Sequence, residues 1–471
     1  MQLLNRTIIF GIFLLHTCLF GQSYKIKVNI QGYTNDTLLL GYHFGDKQYI
    51  RDTAFRNNNS FVFTKDTLLD PGMYLIVTMP SHDFFQILIE KDKQNFSIET
   101  SNDNLSGALK FKGSKLNEDF IKYIDFITER RTKADSLTKI SKNLADSSQS
   151  KSIEEVLLKL DKEVKNKQQE IILTQPLSLL SLIIKWSLEV EIPDFSKEPA
   201  DKKDLIIFNY YKDHYFDFSD FKDDRAVRLP LFSQKVDRYI QRLTMQHPDS
   251  INVALDYILS KCIVGSENYK YLLSSYLNQY ANSKFVGMDG VYVHLVEQYY
   301  ANNKASWMDP ENLAKMVSDA KSLKPLLIDK IAPDILVYKK DSSQIRLHEL
   351  KSPYLVLMFW APDCGHCKKS MPLIVDFYNK FKTRGVEILA VCTKTGVDEK
   401  TCWESMESMH MNGWINASDP SHASRFKLIY DLKTTPQIYI LDKNKKILTK
   451  KIGAEQLSEI MDKLLNIKEN E

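Results

Sequence analysis

Glycine, cysteine and long apolar runs are all scarce in this chain. No glycine occurs between Gly113 and Gly265, a gap that argues against hairpin-rich structure there. Six cysteines in 471 residues are too few for a disulfide scaffold. Excess charge of one sign is missing as well: 63 Lys and Arg against 60 Asp and Glu leave a net +3. That balance points to neither a nucleic-acid partner nor a polybasic membrane contact. The apolar run Thr7–Leu15 falls short of a bilayer span, which takes about 20 residues. Behind the single charge of Met1–Arg6, and ahead of Gly21-Gln22, it reads as a secretory signal over residues 1–21, cleaved after Gly21. The protein is therefore expected to be exported to the periplasm or cell envelope. Cys18 as a lipid-anchored first residue is the rival reading, disfavoured because His16 and Thr17 make a poor lipobox.

The composition, 43% hydrophobic and 26% charged, is that of an ordinary globular protein, and the length suits roughly three domains. Residues 22–113 read as a β-sandwich. Tyr24, Ile26, Val28 and Ile30 alternate with polar neighbours at the period of a half-buried strand. Further short runs (Leu38–Tyr42, Ser60–Phe63, Met73–Thr78, Phe84–Glu90, Phe96–Thr100) are separated by turn clusters, suggesting antiparallel pairing. Residues 114–322 read as an all-α domain. Ile153, Val156, Leu157, Leu160 and Val164 keep helical spacing, and Pro176, Pro193, Pro199, Pro230 and Pro248 mark breaks. The polar stretch Ala134–Ser152 is its least ordered candidate, and the acidic, aromatic segment Tyr210–Asp224 reads as a solvated, partly packed loop. Cys262 reads as a small buried hydrophobe.

Residues 323–471 form a mixed α/β domain. The continuous apolar run Tyr354–Trp360 suits a strand buried on both faces. A helix through Phe377 and Phe381 follows, then the strand Val386–Val391, the strand Gln437–Leu441, a turn and further strand, and a final helix with Leu457, Ile460, Met461, Leu464 and Leu465 on one stripe.

The string Trp360-Ala361-Pro362-Asp363-Cys364-Gly365-His366-Cys367 joins that buried strand to its helix. Cys364 at a helix start meets converging backbone N–H groups and the positive end of the dipole, which stabilise a thiolate. Cys367, one turn on, is placed to bridge it. Gly365 lets a substrate backbone approach, and protonated His366 adds positive charge. With His366 between the cysteines, the reduction potential is expected to lie above the roughly −270 mV of thioredoxin.

With these residues in view, 323–471 resembles the extracytoplasmic TlpA-type thioredoxins, which implies a thioredoxin fold and thiol–disulfide oxidoreductase activity of the protein-disulfide reductase type. By that resemblance Cys364 and Cys367 are catalytic and form the redox-active disulfide. Trp360, Gly365 and His366 support them, with Thr435 and a cis Pro436 facing the pair. The two upstream domains resemble the β domain and helical domain of unknown function that precede such thioredoxins in some Gram-negative bacteria. The implied partners are a protein or small-molecule disulfide and an upstream electron donor, with a membrane-bound donor left open. No cofactor, metal or nucleic acid is expected.

The chain departs from its relatives at two positions. Met358 stands where many thioredoxins bury an Asp, and Ser370 where many TlpA-type proteins carry a Glu. For Cys392 and Cys402, buried free thiols are the preferred reading, with pairing in an oxidising compartment left open. Three alternatives remain. A peroxiredoxin-type peroxidase needs Pro and Thr where this chain has Leu357 and Ala361. A metal-binding module would use Cys364, Cys367 and a histidine such as His366. A third reading makes the upstream domains dock a partner that the C-terminal domain serves.

Overall fold

The computed structural model describes residues 23–142 and 147–469. The segment expected to be a signal, with Cys18 and Gly21, lies outside the described residues. The chain divides into two compact units, with the division between Val236 and Asp237.

The first unit begins with eight strands: β1 (Tyr24–Gln31), β2 (Thr37–Phe44), β3 (Lys47–Phe55), β4 (Phe61–Lys65), β5 (Gly72–Thr78), β6 (Phe84–Ile89), β7 (Asn95–Ser101) and β8 (Lys110–Lys112). They form two four-stranded sheets, ordered β4-β1-β7-β8 and β3-β2-β5-β6, which share one core. β1 alternates strictly between buried and exposed residues, so its inward Tyr24, Ile26, Val28 and Ile30 supply that core. The expectation of purely antiparallel pairing is corrected here: β1 runs parallel to β7, with Ile26 opposite Phe96 and Val28 opposite Ile98. No tight turn joins these two strands, because the whole second sheet intervenes in sequence, so no hairpin fixes their direction.

Helices α1 (Lys115–Ser141), α2 (Ser147–Thr174), α3 (Leu179–Ser187) and α4 (Ala200–Asp213) follow. Ser114 caps α1 by accepting from the Asn117 N–H at 3.4 Å. The stretch Ala134–Ser152, expected to be least ordered, is helical up to Ser141 and again from Ser147, while residues 143–146 lie outside the described set. Neither glycine nor proline interrupts it, and its Lys, Asp and Ser side chains suit an exposed helix face. The segment Tyr210–Asp224 also departs from expectation. Its first residues end α4, and Tyr215, Phe216 and Phe221 are buried, with Phe221 meeting Trp186 edge-on at 5.1 Å. Aromatic area that large is worth more in a core than on a solvated loop. Helix α5 (Pro230–Arg242) spans the point of division.

The second unit continues with α6 (Pro248–Lys261), α7 (Glu267–Ala281), α8 (Asp289–Leu295) and α9 (Pro310–Leu323). Cys262, just past α6, is buried, as its apolar surroundings suggest. A short hairpin, β9 (Leu336–Tyr338) with β10 (Gln344–Arg346), leads into β11 (Tyr354–Trp360), α10 (Gly365–Phe381), β12 (Val386–Cys392), α11 (Glu399–Ser408), β13 (Ile415–Ala417), α12 (Phe426–Ile429), β14 (Gln437–Asp442), β15 (Ile447–Lys450) and α13 (Leu457–Glu469). The sheet order is β13-β12-β11-β14-β15. β11 is parallel to β12 and antiparallel to β14, the mixed sheet of a thioredoxin fold.

Both faces of this sheet are covered, and β11 shows why its sequence is a continuous apolar run. Tyr354, Val356, Met358 and Trp360 enter one core cluster, together with residues of α10 and α13. Leu355, Leu357 and Phe359 enter the cluster on the opposite face. The α/β fold is also tied to a preceding helix. Lys450, at the end of β15 and 2% exposed, donates to the Leu326 carbonyl at 2.6 Å and pairs with Asp289 of α8.

Candidate active site

The central strand ends at Trp360, and the chain turns through Ala361–Asp363 into α10. Cys364 is the N-cap residue of that helix. Its backbone is extended, and its sulfur accepts the Cys367 N–H at 3.2 Å. The Cys364 thiol also lies 3.1 Å from the Thr435 carbonyl oxygen, to which its S–H donates. The Thr435–Pro436 peptide bond is cis, and both residues are half-buried. The cysteine pair is therefore bounded on one side by the helix start and on another by the loop entering β14.

The two sulfurs sit in unlike environments. Cys364 is partly exposed, whereas Cys367 is fully buried; both are free thiols. For Cys364, burial pushes the thiol up. Hydrogen bonds involving the Cys367 thiol, Thr435 and the backbone N–H groups of Cys367 and His366 outweigh it and hold the thiol below its ordinary value. For Cys367, burial pushes the thiol up to about 12, and donation to Cys364 adds to the rise. The arrangement thus offers one ionisable, reachable sulfur and one protonated sulfur behind it.

The surrounding residues contribute unequally. A Cβ at Gly365 would point into open space, so this stretch of backbone is uncovered. His366 is exposed and lies between the two cysteines at the start of α10. Trp360 is 1% exposed and belongs to the same core cluster as Cys367, with its indole N–H unpartnered. Met358 is buried in β11 and Ser370 is half-buried on α10, so neither supplies a carboxylate. Asp363 is largely exposed and forms an ion pair with Lys394 at 2.7 Å, and the Lys394 ammonium holds its carboxyl below the usual range. Nothing in the sequence motif identified Lys394 as its partner, because that contact joins the turn before α10 to the segment after β12.

Cys392 and Cys402 form a disulfide, so of the two readings left open the preferred one, free thiols, is corrected. Cys392 ends β12 directly opposite Trp360, and Cys402 lies on α11, with both residues 1% exposed. Packing α11 against the strand end brings the Cα atoms to 6.2 Å, within bridging range. Ten residues of separation alone could not reveal this. Among the described residues no group of three or more His, Cys, Asp or Glu has an arrangement that could hold a metal ion.

Parts of the chain are similar to known proteins. Residues 328–450 match the AhpC/TSA family, 24–120 a domain of unknown function (DUF4369), and 145–322 another (DUF5106). The chain is 29% identical over 146 residues to the thiol-disulfide oxidoreductase ResA of a Bacillus cereus strain, covering 29% of this chain and 78% of that protein. It is 27% identical over 140 residues to ResA of Bacillus subtilis (strain 168), covering 30% and 75%. A shorter match to ResA of Bacillus thuringiensis (strain Al Hakam) is 39% identical over 64 residues, covering 14% of this chain and 37% of that one. Among solved structures, a thiol:disulfide interchange protein from Bacteroides sp. aligns with 23% identity and a TM-score of 0.27, covering 30% of this chain and 90% of that one. A thioredoxin-like protein from Bacteroides caccae ATCC 43185 aligns with 17% identity and a TM-score of 0.36, covering 58% and 97%.

The α/β fold, the paired thiols at a helix start and the ResA relatives define a thiol–disulfide oxidoreductase with a thioredoxin-like domain. That domain is of the TlpA type, and it follows a β domain and a helical region that fit the two domains of unknown function.

Proposed function

We propose that the protein is an exported reductase of protein disulfides, with Cys364 as the attacking thiolate and Cys367 as the resolving thiol. The observation that carries this reading is the asymmetry of the pair: Cys364 is reachable and its thiol is more acidic than usual at the helix start, while Cys367 is buried and pushed up to about 12. The Cys364 thiolate attacks a substrate disulfide, forming a mixed disulfide and releasing the first substrate thiolate. Cys367 then loses its proton and attacks the Cys364 sulfur, which expels the second substrate thiolate and leaves a Cys364–Cys367 disulfide. Two electrons and the Cys367 proton reach the substrate, whose second thiolate takes a proton from solvent, and an upstream dithiol donor must restore the enzyme. Met358 and Ser370 offer no carboxylate base. The substrate thiolate released first is therefore the base best placed to take the proton of Cys367.

Thr435 and Pro436 wall the site and Gly365 leaves it open to an approaching chain, while Trp360 anchors the turn and His366 adds charge when protonated. The peroxidase alternative lacks its residues, because Leu357 and Ala361 occupy the positions where Pro and Thr are needed, and Leu357 is buried in the opposite core cluster. In this reading the three domains span 22–113, 114–322 and 323–471, and residues 1–21 direct export. The direct test is reduction of insulin disulfides with dithiothreitol as donor. Wild type should accelerate precipitation and Cys364→Ser should not; equal rates would refute the assignment.

A further inference from the structure

We propose that Lys394 is a positioning residue for the nucleophile: it holds and neutralises the Asp363 carboxylate, so that the Cys364 thiolate forms beside an ion pair rather than beside a bare negative charge. This role presupposes that Cys364 is the attacking sulfur. Asp363 immediately precedes Cys364, and consecutive Cα atoms are only about 3.8 Å apart. A like charge that close disfavours a thiolate. An exposed Asp is ionised throughout the neutral range, so protonation does not remove the charge. A cation must offset it.

The backbone brings Lys394 to that place. The Thr393 N–H donates to the Trp360 carbonyl at 2.8 Å, one bond beyond the Trp360–Cys392 pairing, which sets the following residue beside the turn 361–363. On the other side, Thr395 Oγ1 and His422 Nε2 lie 2.8 Å apart, and the Gly396 N–H donates to the Pro420 carbonyl at 3.1 Å. Lys394 therefore extends from a segment anchored before and after it. Its ammonium lies 2.7 Å from Asp363 Oδ2, and its side chain is 30% exposed against 70% for Asp363. Most surface ion pairs contribute little because two mobile side chains must be ordered. Here the lysine is largely covered and its backbone is already fixed. Lys394 bonds Asp363 and not the sulfur, whose partners are the Thr435 carbonyl and the Cys367 N–H. The other titratable groups on the elements meeting at the sulfur are His366, Lys368 and Lys369 of α10, Cys367 behind it, and Lys433 ahead of the cis peptide, which pairs with Asp431 at 3.5 Å. Asp398 follows Lys394 in its own segment, and its field reaches that ammonium. All of these are unchanged in the variants below and cancel from the comparison.

The test is the pH profile of iodoacetamide labelling at Cys364 in the full reduced chain, read by peptide mass spectrometry. A unit charge about 6 Å away in water-like surroundings changes an ionisation equilibrium roughly threefold, or about half a pH unit. Lys394→Gln should move the midpoint of the profile up by about that amount, and Asp363→Asn should move it down by a similar amount. The double variant Asp363→Asn/Lys394→Gln should return most of the way to wild type, and Lys394→Arg should stay there. An ion pair that only braces the turn would give single variants that shift in the same direction or not at all, and either result would overturn the proposal. So would a Lys394→Arg variant that behaves like Lys394→Gln. If Lys394→Gln fails to fold, the downward shift in Asp363→Asn carries the test, and its absence overturns the proposal. The readout needs no disulfide substrate. Wild type that fails to reduce insulin while these shifts appear would refute the reductase reading alone and leave the role of Lys394 standing.

Discussion

Iodoacetamide distinguishes the two active-site thiols in a way the structure makes quantitative. Cys367 is pushed up to about 12 by burial, and Cys364 lies below its ordinary value of 9.0. At pH 7 the thiolate fractions therefore differ by at least ~1000-fold in favour of Cys364. A less acidic thiol gives a more nucleophilic thiolate, with a Brønsted slope of about 0.4–0.5, which returns roughly 15–30-fold to Cys367. Cys364 should still react at least ~30-fold faster. Burial of Cys367 widens the gap by excluding the reagent. The assay is a brief pulse on reduced protein, an acid quench and peptide mass spectrometry. The Cys364 rate should level off below pH 9 while that of Cys367 is still rising. Equal labelling at pH 7, or faster labelling of Cys367, would refute the reasoning.

Two further outcomes follow from groups outside the pair. Because both sulfurs of Cys392–Cys402 are buried, that disulfide should survive mild reduction that opens Cys364–Cys367. Its removal by a double Ser substitution should lower the unfolding free energy by about 3 kcal/mol on the chain-entropy account, read by urea denaturation. Lys450→Met leaves the Asp289 carboxylate without its buried partner and should cost about 3–5 kcal/mol; the paired change Lys450→Met/Asp289→Leu should recover most of that loss in the same assay.

Much of this was legible in the sequence because it is local. The alternation of Tyr24–Ile30, the two-faced apolar run Tyr354–Trp360 and the step from that strand into Cys364 each lie within a few residues. What stayed hidden depends on pairing across distance. β3 escaped notice because Lys47–Phe55 has almost no buried face and so no period-two signal, as suits an edge strand. The parallel register of β1 with β7 and the Cys392–Cys402 bridge are set by packing that no local pattern encodes. The same is true of Lys394 beside Asp363, and of Lys450 reaching Asp289. Tyr215, Phe216 and Phe221 misled for the converse reason: acidic neighbours gave a solvated look to side chains that fold inward.

The central claim is that Cys364 attacks and Cys367 resolves, and trapping tests it most directly. Cys367→Ala, incubated with oxidised insulin and no thiol reductant, should accumulate a covalent complex that non-reducing electrophoresis and mass spectrometry trace to Cys364. Cys364→Ala should accumulate none. A complex linked through Cys367, or equal amounts from both variants, would contradict the account.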